Sequence, residues 1–187
     1  MRLPLLHERL MATIYYTASS LDGFLATPDD DVSWLDEHGD HEDTYTPFID
    51  SVGAICMGSA TYAFIQRHME AGHPWPYSQP TWVFSSRKLS PAPGADVRFV
   101  SGDVSQYHDA MREAAEGKDV WICGGGGLAS QFLEAGLLNE AIVTLAATTL
   151  GSGKPLLPLR ARWHITSARQ LGDGFAELRL RPIAGGP

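Results

Sequence analysis

The sequence predicts an α/β domain of three layers, with a mostly parallel central sheet and an antiparallel hairpin at its C-terminal edge. Three observations predict it. Apolar, β-rich segments alternate with amphipathic ones from residue 12 to residue 148, the order of strand–helix–strand crossovers. The run Val120-Trp121-Ile122-Cys123-Gly124-Gly125-Gly126-Gly127-Leu128 reads as a buried strand, four glycines and the start of a helix. The pair Asp173-Gly174, between two β-rich stretches, signals a hairpin turn.

Taken in order, Ala12 to Ala18 is apolar enough for a central strand, and Ser20 to Ala26 follows as a turn and a short strand. Asp29 to Asp43 is an acidic segment with Trp34 as its apolar anchor, and we expect it to act as a mobile lid. Thr44 to Val52 is a candidate helix and Ala54 to Met57 a short buried strand. Ser59 to Ala71 reads as a helix, with Tyr62, Ile65 and Met69 on one face and Ser59 as its N-cap. A Pro/aromatic loop spans Gly72 to Pro80. Strands follow at Thr81 to Ser85 and Asp96 to Val100, then a helix from Val104 to Glu116. The strand at Val120 to Cys123 precedes the glycines and the helix Leu128 to Ala135 follows them. Ala141 to Thr148 is the next strand. Arg162 to Gln170 and Phe175 to Leu180 form the terminal hairpin.

The 187 residues suit one domain, expected over 12–187, with residues 1–11 a leader and Met11 a candidate start. A formal net charge of −8 argues against nucleic acid or an anionic membrane as partner, since phosphate-rich surfaces demand a basic one. No apolar run reaches the roughly 18 residues of a membrane span. Cys56 and Cys123 both lie in apolar strand segments and read as buried free thiols, which suits a reducing, cytoplasmic setting. Neither has a ligand-spaced partner, and His38 to Asp43 fits no standard metal spacing, so no metal site is expected.

Four glycines without Cβ atoms let a phosphate approach, and the N–H groups of the following helix face it. Gly124-x-Gly126-x-x-Ala129 formally matches the Rossmann fingerprint, but that motif follows the first strand of its unit and is answered by an acid closing the next. Here it comes late, and Glu140 precedes the next strand. A P-loop is excluded, because in Gly151-Ser152-Gly153-Lys154-Pro155 a proline stands where the metal-binding hydroxyl belongs.

Further segments complete a pattern: Ser20-Leu21-Asp22-Gly23-Phe24, Met57-Gly58-Ser59-Ala60-Thr61-Tyr62, Phe84-Ser85-Ser86-Arg87-Lys88, and Leu150-Gly151-Ser152-Gly153-Lys154. In order and spacing the chain resembles the dihydrofolate reductase-like superfamily, and within it the C-terminal reductase domain of the bifunctional riboflavin-biosynthesis deaminase–reductase. The resemblance implies that fold and a homodimer. It also implies reduction of a small, heterocyclic substrate, such as a dihydrofolate or a 5-amino-6-(5-phosphoribosylamino)uracil, with NADPH; NADH is left open. By the same resemblance Gly58, Ser59 and Thr61 hold phosphate, Ser85, Ser86 and Arg87 surround the adenosine ribose and its 2′-phosphate, and Gly124, Gly125, Gly126, Gly127 and Leu128 cradle the pyrophosphate. Ala18, Leu21, Gly23 and Phe24 border the nicotinamide. Ser59 stands where the family often carries Arg, Ala63 replaces its Glu, Ala147 its strand Pro, and Tyr16 the Lys of the bifunctional enzymes. Arg87 or Lys88 is then left to grip a 2′-phosphate.

Reduction also needs a proton. The segment Asp31-Val32-Ser33-Trp34-Leu35 resembles the one in which dihydrofolate reductases carry their substrate-binding carboxylate three residues before a Trp. By that resemblance Asp31 is the first candidate, on the expectation that an apolar pocket beside Trp34 raises its pKa. Asp22 is the second. The alternative is a nucleotide-binding or interaction module on the same fold without catalysis.

Overall fold

The computed structural model describes residues 11–39 and 41–183. Apart from Met11, which packs against the core, the expected leader lies outside the described residues.

Eight strands form one sheet. Strand β1 (Thr13–Ser20) runs along its middle, flanked by β6 (Asp119–Gly124) and β7 (Glu140–Ala146), both parallel to it. Beyond β6 come β3 (Val52–Gly58), β4 (Thr81–Phe84) and β5 (Val97–Val100), all parallel. Beyond β7 come β10 (Phe175–Pro182) and β9 (Trp163–Gln170), both antiparallel to their neighbours. The central strands read as near-continuous apolar runs because helices cover both of their faces.

Successive side chains of each strand point to opposite faces, and two cores result. On one face Ala54, Cys56, Ile122, Ala141 and Val143 pack under Met111 of α3 (Ser105–Ala114) and Leu128, Ala129 and Phe132 of α4 (Gly126–Glu134). On the other, Ile14, Ile55, Met57, Trp121 and Ile142 meet Phe48 of α1 (Tyr45–Ile49) and Tyr62 and Ile65 of α2 (Ser59–Glu70). These are the three expected layers.

Several boundaries move for local reasons. The helix after the glycines starts at Gly126, inside the run, because Gly125 takes φ +87° as its N-cap and Gly126 and Gly127 wind into the first turn. Ser59 is not the N-cap of α2. Gly58 holds that place, and Ser59 is the first helical residue. The expected helix from Thr44 shrinks to one short turn of five residues, since β3 already begins at Val52. A two-stranded ribbon absent from the sequence reading joins β2 (Phe24–Ala26) to β8 (Lys154–Pro155).

The acidic segment is not a free loop. It carries a 3-10 helix (Ser33–His38) whose Trp34 is buried with Ala146, Leu171 and Phe175. His38 Nε2 lies 2.6 Å from Thr148 Oγ1, and Arg169 donates to Glu42 at 2.8 Å. Arg169 and Arg179 also donate to Oε1 of the buried Glu177, so the terminal hairpin and the acidic segment are tied together. The expected lid is therefore fastened at its centre and at its end.

The chain leaves β3 through α2 on one face and leaves β6 through α4 on the other. Their carboxyl ends thus border a topological switch point, the place where open α/β sheets hold ligands.

Phe132 is fully buried between α4 and the sheet. Phe132→Ala is expected to lower the unfolding free energy by about 3–5 kcal/mol, read from urea denaturation followed by circular dichroism.

Candidate active site

Loops from four parallel strands converge at the switch point. Gly124 ends β6, and a Cβ there would stand 2.7 Å from Thr61 Oγ1 of α2. Only glycine lets α2 and β6 come this close. Gly126 is tighter still: a Cβ would strike the carbonyl oxygens of Pro155 and Leu156. Gly127 and Gly58 have open space where their Cβ atoms would be. In α4 the N–H groups of Leu128 and Ala129 both donate to Gly125 O at 3.0 Å, so the helical hydrogen bonding begins there. The N–H groups before them belong to the unpaired first turn, which leaves them for a ligand.

Ala18, Thr61, Gly124 and Gly125 line one cleft of about 320 Å³, together with Thr17, Phe64 and Cys123 and with residues of the 25–35 stretch. The 85–87 turn stands at the N-terminus of α2. Ser85 Oγ accepts from Arg87 N at 3.0 Å and donates to Arg87 O at 3.1 Å, which shapes the turn. Arg87 Nη2 donates to Ser59 Oγ at 3.1 Å. Among the described residues no carboxylate pairs with Arg87. A guanidinium is thus held at the positive end of a helix, an arrangement that an anion completes.

Some expected residues serve differently. Leu128 buries its side chain in the core and commits its N–H to Gly125, so it is scaffold rather than a phosphate contact. Leu21 is exposed and donates its N–H to Thr148 O, and the cleft does not include it. Gly23 turns the chain at φ +87° and accepts from Leu156 N, while Phe24 pairs with Pro155 in the ribbon. Ser86 is exposed beside Arg87.

Neither carboxylate suits proton delivery. Asp31 is exposed, not in an apolar pocket, and the Ser33 N–H and hydroxyl hold its pKa below the ordinary value. Asp22 is exposed too. Ser20 Oγ, the N–H of Leu150 and the N–H of Gly151 lower its pKa to about 2. It is a clasp between two loops, an acceptor that is already saturated.

Sequence reasoning read Cys123 only as a buried thiol; it is half-buried, packs against the core on the side of Trp121 and also lines the cleft. It did not foresee that the Tyr77 hydroxyl lies 3.3 Å from Cys123 Sγ, nor the Asp30–Lys154 pair on the cleft wall. The signal for Cys123 was its place, the last side chain of a parallel strand before the glycines.

The family model of the RibD C-terminal domain matches residues 12–176. This chain belongs to that family. The uncharacterized Bacillus subtilis protein YwjB is 32% identical over 169 residues, covering 86% of this chain and 92% of YwjB. A Shewanella sp. PV-4 protein assigned to riboflavin biosynthesis has the same fold, with TM-score 0.78 and 23% identity over 92% of this chain and 99% of that one. The Thermotoga maritima diaminohydroxyphosphoribosylaminopyrimidine deaminase/5-amino-6-(5-phosphoribosylamino)uracil reductase follows at TM-score 0.62 and 15% identity, over 94% of this chain and 58% of that protein. Enterococcus faecalis dihydrofolate reductase, solved with NADP(H), follows at TM-score 0.60 and 14% identity, over 91% and 96%. The dihydrofolate reductase-like fold with its antiparallel edge is thereby shown. No described helix is long and apolar enough to cross a membrane.

The Asp22 clasp has a pH signature. Its carboxyl is lowered from 3.8, so its bonds hold above the ordinary range and are lost as pH falls through about 2. Amide exchange at Leu150 and Gly151, measured by NMR against intrinsic rates, is expected to be protected at neutral pH and to lose that protection in Asp22→Asn.

Proposed function

We propose that this RibD C-terminal domain protein is an NADPH-dependent reductase of a small, planar carbonyl or imine-type substrate. The observation that carries the reading is Arg87, held on Ser59 at the start of α2 and paired with no carboxylate among the described residues. Ser59 replaces the arginine common in the family, and Arg87 brings a guanidinium back to the same helix start from the neighbouring strand.

The residues fit the cofactor at each end. Arg87 and Ser59 would grip the 2′-phosphate, with Gly58 and Thr61 beside them. The first turn of α4 would meet the pyrophosphate, where the open Gly127 position leaves room for it. Ala18 and the cleft would receive the nicotinamide. When bound, NADPH supplies the hydride. The chain's own work is to orient the reacting partners and keep water from them. The family likeness carries with it the expectation of a homodimer, which light scattering reads directly.

A second reading, a nucleotide-binding module without catalysis, draws support from Asp22 and Asp31, both held as ionised carboxylates. Turnover separates the two. Calorimetry tests the cofactor first. The parent is expected to bind NADPH more tightly than NADH. Arg87→Ala should weaken NADPH by roughly 10- to 100-fold, the worth of a charged hydrogen bond, and leave NADH unchanged. Equal loss for both cofactors would remove the 2′-phosphate from the reading.

A further inference from the structure

Addition of hydride to C=O or C=N leaves a basic oxygen or nitrogen that must take a proton. Asp22 and Asp31 are both engaged elsewhere. Cys123 is not. Its side chain lines the cleft beside Ala18 and Gly124, and its sulfur lies 3.3 Å from the Tyr77 hydroxyl. Tyr77 is fixed in turn, edge-on to Trp75 and to Trp121, each 5.5 Å away between ring centroids. Trp121 is anchored by its Nε1, which donates to Tyr16 O at 3.0 Å. The other thiol, Cys56, is fully buried. The chemistry of the cleft wall also speaks to the substrate. Leu25, Val32, Leu35 and Phe64 are apolar, and the two charged groups, Asp30 and Lys154, pair with each other at 3.6 Å.

We propose that Cys123, positioned by Tyr77, donates the proton in this cleft, and that the substrate is an uncharged planar carbonyl or imine compound. The inference rests on the reductase reading above.

The step balances. Hydride adds to the carbonyl or imine carbon, and the π pair moves to the heteroatom. The S–H bond of Cys123 breaks, its proton forms the new O–H or N–H bond, and the pair stays on sulfur. The substrate gains two electrons and the cofactor loses them. The Tyr77 hydroxyl donates to the thiolate until water returns a proton. An alkoxide or amide ion is a far stronger base than a thiolate, so the transfer runs downhill. The ionisable groups around the sulfur are Tyr15, Tyr45, Tyr77 and Cys56, all neutral because burial raises each of them. Burial pushes the Cys123 thiol up to about 12, with the Tyr77 bond pulling against it, so the proton stays on sulfur until it is needed.

The test has two arms. In the first, purified protein is alkylated with excess iodoacetamide at alkaline pH, because so weakly acidic a thiol forms little of the reactive thiolate near neutrality. Cys123 is followed by mass spectrometry, while tryptophan fluorescence reports NADPH binding in the same samples. Saturating NADPH is expected to abolish alkylation of Cys123. Tyr77→Phe is expected to slow it about fivefold, one hydrogen bond to the thiolate. NADPH that binds and leaves alkylation unchanged overturns the proposal alone; a parent that binds no NADPH sinks the reductase reading itself. In the second arm, phenanthrenequinone and dihydropterin are the probes. Cys123→Ala is expected to lower kcat about 100-fold with the KM for NADPH unchanged, and Cys123→Ser to restore part of it. Parental kcat in Cys123→Ala overturns the proton donor. A parent that binds NADPH and reduces neither probe overturns the substrate class.

Discussion

The approach of Gly126 to the carbonyls of Pro155 and Leu156 is the contact on which the rest of this site hangs. It brings the 154–156 strap against the mouth of α4. The strap then takes a hydrogen bond from Tyr15 of β1 to Leu156 O and gives one from Leu156 N to Gly23 O. The β2–β8 ribbon and the Asp22 bonds to Leu150 and Gly151 close the same loop pair from the other side. Loops from β1, β6 and β7 are thus fastened to one another, although they lie far apart in sequence. A side chain at residue 126 would move them all.

Much of this was legible in the sequence. Central strands buried on both faces leave long apolar runs, and helices leave apolar faces, so the order of layers follows from patterning. The glycines at 124 to 127 announced a close approach, and three of the four are explained by what stands next to them or by the backbone conformation required. The particular neighbour was not legible. Nothing local to Gly126 points to Pro155, because contact between them depends on the return path of the strap. Asp22 and Asp31 show the opposite failure. Their types fit proton chemistry, but ordinary turn bonding by Ser20 and Ser33 spends their oxygens.

Charge deserves the same local view. A chain with eight more acids than bases makes an unlikely binder of a polyanion when only its net charge is counted. The phosphate site proposed above is built from nearer groups: one guanidinium, one hydroxyl and the first turns of two helices. On that proposal Arg87 is able to serve because Ser59 is short. A long cation at residue 59 would repel Arg87 or displace it, so the replacement of the family arginine and the use of Arg87 belong together.

The middle position of β1 has a consequence for synthesis. This first strand pairs with β6 and β7, whose residues lie more than a hundred positions downstream. As the chain emerges from a ribosome, Thr13 to Ser20 has no strand to join until most of the protein has been made. Contacts so remote in sequence make folding slow, and they leave an apolar, β-prone segment waiting in the open. The strand that later forms the bed of the cleft is therefore the segment most in need of shelter while the polypeptide is still growing.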